Sequence, residues 1–242
     1  MKFPHHEELT EGLGTLVGQL PPLIKELLDP SVDATDRDLR LHLFALLTTG
    51  RELTMDQVQA ACLPEFLALG MSMNPASFNP SQTTPGDLAQ QKARTGLLAS
   101  LTARHAMVSV TKSAEVIGLA GQIGQSLAVA AHIIDECNQL TTPAYFTERI
   151  VTGTYPLALL FTREREATWL DQFFAQPHRP SEADFARAAQ LTIDNGRGPA
   201  LEMAGELLSQ TQLDVQVLPA GPAKDGLSQF ITQVTNDIKL EY

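Results

Sequence analysis

Apolar positions recur at helical spacing along nearly the whole chain, and no run alternates at the two-residue period of a strand for a useful length. The most informative stretch is residues 123–139, IGQSLAVAAHIIDECNQ. At about 100° per residue, His132, Asp135, Glu136 and Gln139 fall within one sector roughly 100° wide, while Ile123, Leu127, Ala130, Ala131 and Ile134 gather opposite. Followed backwards, the polar stripe becomes Ala128, Gln125 and Gly121, small and uncharged, as the wall of a cavity would be. The plainer alternative is a solvated face, because adjacent acids are common on exposed helices. Gly118, Gly121 and Gly124 recur at every third residue, which predicts close approach of a neighbouring helix or a ligand.

The same periodicity predicts the other elements. Residues 7–28 form an amphipathic region broken at Pro21-Pro22, and residues 36–47 carry Leu39, Leu43, Leu46 and Leu47 on one face. Residues 54–69 turn Val58, Cys62, Phe66 and Leu69 inward. Three prolines in NPASFNPSQTTPG, residues 74–86, remove backbone donors and predict a loop crossing the top of the bundle. Residues 87–110 are helical, and Lys92, Arg94, Arg104, His105 and Lys112 make this the most basic region, read as mostly solvated. Pro143 and Pro156 each restart a helix. Further helices are expected near 163–175, 181–194, 199–212 and 224–239, the middle pair separated by a turn NGRGP. The expectation is an all-α bundle of about ten helices forming a single domain over 1–242.

Composition narrows the function. The 242 residues are 43% apolar and 19% charged, as in a globular chain. A formal charge of -11 without a Lys/Arg cluster argues against nucleic acid, while leaving room for anionic ligands bridged by divalent metal. Cys62 and Cys137 do not make a disulfide framework, so a reducing cytoplasm is expected, with Cys137 in the core. The N-terminus has no apolar leader region. Residues 116–134 have no formal charge, yet Gln122, Gln125, Ser126, His132 and the glycines fit a buried helix, so no transmembrane segment is expected. Gly12, Gly14 and Gly18 follow no strand, which excludes a dinucleotide loop.

With the helices placed, the chain resembles the trans-isoprenyl (polyprenyl) diphosphate synthases. Their second aspartate-rich motif follows a helix of the form FGxxLGxAFQIxDDxxD. Gly124, Leu127, Ala130, Ile133 and Asp135 keep the family residue, Glu136 replaces the second aspartate, Gln139 the last, and His132 stands for glutamine. Outward from that helix, DLRLHLFALL is similar to the early Arg-Pro-Leu-Leu helix, with Arg37 and Arg40 at diphosphate-binding positions. AACLPEFLALGMSMNP is similar to the helix that ends in the first aspartate-rich motif. QQKARTGLLA is similar to the Lys-Thr helix, with Lys92 as its lysine, VTGTYPLALLF to the Gly-Lys-x-Thr-Leu-Pro segment, and NGRGPALEMAGELL to the C-terminal helices.

The resemblance implies a shortened isoprenoid synthase-type bundle. It also implies Mg²⁺ at Asp135, Glu136 and Gln139, and a prenyl diphosphate ligand met by Lys92, His132, Arg37 and Arg40. The departures bear on activity. MNPASF has no acid where the first motif belongs, and Thr152 stands at the lysine of the Gly-Lys-x-Thr segment. Mg²⁺ needs near-octahedral oxygen ligation, so lost carboxylates weaken or abolish a multi-metal clamp. Three readings stay open: a noncatalytic or regulatory subunit with a catalytic prenyltransferase partner; a divergent active prenyltransferase whose chemistry rests on Asp135, Glu136 and a partner's residues; and a helical interaction protein unrelated to isoprenoids. Pairing with a catalytic subunit or as a homodimer is expected from the family's habit.

Overall fold

The structure is a computed structural model that describes residue 11 and residues 34–54, 57–58, 85–176 and 178–239, with the side chains at 34–38, 85–95, 143, 237 and 239 left aside. All regular elements among the described residues are helical: α1 (Ala34–Leu47), α2 (Pro85–Val108), α3 (Ala114–Gln139), α4 (Pro143–Val151), α5 (Leu157–Phe174), α6 (Glu182–Thr192), a π-helical turn (Ile193–Arg197), α7 (Gly198–Val217) and α8 (Pro222–Lys239). The expected helices over 7–28 and 54–69, the loop over 74–84 and Cys62 lie outside the described residues, apart from single positions.

The expected central helix is central. Its most extensive contacts are with α2 and α7, while α1 packs on α2 and α8 joins α1 to α7. Ser113 caps the start of α3, its hydroxyl accepting from the Val116 amide at 3.4 Å. Ile123, Leu127, Ala130, Ile133 and Cys137 are buried, so Cys137 is a core residue as expected. Length and composition alone would let α3 cross a membrane. In the fold its apolar surface meets α2 and α7.

The small stripe behind the acids is packed against protein, which corrects the cavity-wall expectation. A Cβ on Gly124 would lie 2.7 Å from the Ala99 carbonyl oxygen and 3.0 Å from Leu43 Cδ2, and one on Gly121 would run into the Arg104 side chain. A Cβ on Gly96 would meet Gln125 Cγ at 2.9 Å. Glycines therefore let α2 and α3 approach along an antiparallel seam, as one of the two readings of the glycine repeat expected. Gly118 has open space around it.

Other boundaries moved for local reasons. Pro85 and Gly86 belong to α2 rather than to the preceding loop, and proline suits a first helical turn. The helix expected to restart at Pro156 begins at Leu157 and is continuous with the one expected near 163–175, with a bend at Glu166 (φ -117°, ψ 32°) and the Arg163–Asp171 ion pair spanning the bend at 3.0 Å. The expected NGRGP turn is instead a π-helical turn that runs straight into α7, which extends to Val217. Gly196 is buried there against Ala158 and Thr162 of α5. The α5–α6 contact is aromatic: Phe173 meets Phe185 edge-on at 5.5 Å and stacks on Trp169.

Candidate functional site

The C-terminal half of α3 carries the four polar residues of the stripe, and the structure sorts them into two pairs. Gln139 donates to Asp135 at 2.6 Å, one helical turn apart and partly buried. Glu136 and His132 form the other pair, with His132 Nε2 3.4 Å from Glu136 Oε1.

Glu136 is the buried carboxylate among the described residues, at 2% exposure. Arg149 of α4 donates to the same Oε1 at 2.9 Å. The other oxygen, Oε2, accepts the backbone N–H of Leu157 at 3.3 Å. That amide opens α5, whose N-cap is Pro156 and offers no side-chain cap.

Two residues that the sequence reading passed over complete the surroundings. Tyr145 lies beneath Arg149, whose guanidinium carbon is 5.5 Å from the ring centroid. Burial pushes the Tyr145 phenol up to about 12, with Glu136 and Asp135 adding to the rise and Arg149 opposing it. Arg197, from the π-helical turn, donates to the Cys137 carbonyl at 3.2 Å, in the last turn of α3. Arg149 sits only two residues before the VTGTYP segment, and a basic residue in the last turn of a short helix after Pro143 was the available signal. Nothing in the sequence spacing pointed to Arg197.

The other expected site residues are less converged. Arg40 is 2% exposed and lies in the interior. The side chains of Arg37 and Lys92 are outside the described residues. The antiparallel seam carries the Lys92 backbone toward the His132 turn of α3, one helical turn beyond Gly96. Thr152, at the family's lysine position, is exposed and donates to the Glu148 carbonyl at 2.9 Å. It caps α4, followed by Gly153 at φ 72°. Gly153 N–H donates to Ile150 O and Thr154 N–H to Arg149 O, a glycine-based helix stop.

The donor set around α3 does not match the Mg²⁺ that the resemblance implies. Both oxygens of Glu136 have protein donors, and Asp135 Oδ2 is held by an amide. Among the described residues no three His, Cys, Asp or Glu side chains converge on a point where a metal would sit. A hard, octahedral cation is not matched by these groups.

Burial also raises the Tyr155 phenol to about 12. We therefore expect Tyr145 and Tyr155 to ionise together near pH 12, not near the ordinary 10.0. Their folded pKa lies above the unfolded one, so their stabilisation is full below pH 10 and is lost as pH rises toward 12. Tyrosinate absorbance in wild type and Tyr145→Phe checks this. Ionisation of both at the ordinary value would contradict the burial described.

This arrangement is that of an all-α isoprenoid synthase-type fold. The chain superposes on Lactobacillus brevis geranylgeranyl pyrophosphate synthase complexed with citrate with a TM-score of 0.73, at 17% identity, over 96% of both chains. A second structure of geranylgeranyl pyrophosphate synthase from L. brevis gives 0.61 at 16% identity, over 94% of this chain and 76% of that one. The apo form of an Arabidopsis medium/long-chain length prenyl pyrophosphate synthase gives 0.61 at 18% identity, over 96% of this chain and 80% of that one. No protein-family model matches the chain, and no curated protein matches it in sequence. At these identities the likeness shows the fold, and it bears out the resemblance read from the helices.

Proposed function

We propose that this protein is a noncatalytic or regulatory subunit of a polyprenyl diphosphate synthase in cytoplasmic isoprenoid biosynthesis. It binds a full-length catalytic prenyltransferase chain. The observation that carries this reading is the contrast between a fold kept over 96% of both chains and a second acidic motif whose carboxylates are engaged by protein donors. A chain selected for ionising allylic diphosphates needs its carboxylates open to metal. A chain selected to support a partner needs only the bundle.

The departures in sequence support the same reading. No acid stands in MNPASF, and Thr152 replaces a lysine that would balance the leaving diphosphate. The test is co-purification of the tagged chain from its native source, with mass spectrometry of what accompanies it. A catalytic prenyl diphosphate synthase at a fixed stoichiometry is the expected result. A chain that elutes alone as monomer or homodimer would contradict the subunit reading.

A further inference from the structure

We infer that Glu136 has been taken over from metal binding and serves as an internal anchor that joins α3, α4 and the start of α5. The inference concerns this chain's own fold and stands whether or not a catalytic partner exists.

The argument begins with an unmet need. The first amides of an α-helix have no partner within the helix, and a Ser, Thr, Asp or Asn just before it normally supplies one. At α5 that position is Pro156, which has no side-chain acceptor. The Leu157 amide instead reaches Glu136, 21 residues earlier in the chain, at 3.3 Å. A carboxylate at a helix N-terminus is also favoured by the helix dipole.

The carboxylate in turn needs a reason to be buried. At 3% side-chain exposure an ionised carboxylate is stable only if paired and hydrogen-bonded, and Arg149 at 2.9 Å with His132 at 3.4 Å meets that condition. The extra methylene that distinguishes glutamate from aspartate lengthens the reach toward α4 and α5. The two acids of the pair thus have different employment: Asp135 stays on the turn shared with Gln139, and Glu136 faces inward.

The test combines thermal unfolding, amide exchange and a metal probe on the full chain. Arg149→Gln should lower Tm by about 10 °C because it leaves the buried Glu136 carboxylate without its cation, and Glu136→Gln should lower it by about 5 °C because it strands a guanidinium that is only partly buried. The double variant should fall no further than the worse single variant. Mn²⁺ binding, read by electron paramagnetic resonance, should be the same in wild type and Glu136→Gln. Should either variant fail to fold, amide exchange in the wild-type chain still decides: the Leu157 N–H should be protected although it opens a helix. Additive losses in the double variant, a wild-type Tm for Glu136→Gln, a tenfold loss of Mn²⁺ affinity in that variant, or unprotected exchange at Leu157 would each overturn the anchor. None of these outcomes depends on co-purification, so the anchor and the subunit reading fail separately.

Discussion

Replacing Gly196 by alanine should lower Tm by roughly 10 °C, the largest loss expected from a glycine-to-alanine change among the described residues. The π-helical turn Ile193–Arg197 presses its backbone onto α5, and a Cβ at Gly196 would run into the Ala158 carbonyl and Thr162 Oγ1. The obstructing atoms at Ala158 are helix backbone, which cannot rotate aside as a side-chain tip can. Relief requires separating the turn from α5, and with it the position from which Arg197 caps α3. Overpacking a core by a methylene typically costs about 1–3 kcal/mol, with values beyond that when backbone must move. The control is Gly205→Ala, at a helical position with nothing within 4 Å, where the better helix former should raise Tm by about 2–4 °C. Wild-type stability in Gly196→Ala would mean that the turn is not docked as described.

That turn also marks where sequence reading stopped. NGRGP reads as a chain reversal because glycine and proline there favour leaving a helix, yet the backbone stays helical through Arg197 and Gly198, and Pro199 falls just after the π-helical turn inside one continuous helical run. Gly196 is required by contact, not by an unusual backbone angle, and contact is a tertiary fact. The periodic signal worked where one face repeats over many residues. It placed α3 at the centre and Cys137 in the core, and it registered the glycines that admit α2.

The site was legible as a set of residues and illegible as a set of partners. His132, Asp135, Glu136 and Gln139 share a sector by helical geometry alone. Which of them faces inward is decided by Arg149 and the Leu157 amide, which lie 13 and 21 residues away and leave no periodic trace. The polar stripe was read as one surface, whereas adjacent residues hold a partly exposed carboxylate, Asp135, and a buried one, Glu136. Tyr145 was missed for the same reason, since its environment is built by Arg149 and the acids of another helix.

The isolated chain should show no turnover above the enzyme-free background when supplied with isopentenyl diphosphate, an allylic diphosphate and millimolar Mg²⁺. Ionisation of an allylic diphosphate depends on stabilising the charge that develops on the leaving group, which a metal clamp and nearby cations provide. Here Glu136 is bound to Arg149 and the start of α5, Asp135 to Gln139, and an exposed threonine stands where a lysine would be. MNPASF supplies only neutral oxygens, which hold Mg²⁺ far more weakly than carboxylates do. The decisive measurement is incorporation of labelled isopentenyl diphosphate into extractable prenyl product, by the chain alone and by the chain with any prenyl diphosphate synthase that co-purifies with it. Background counts alone and turnover in the mixture are the predicted result; robust turnover by the isolated chain that disappears in Asp135→Ala would contradict it.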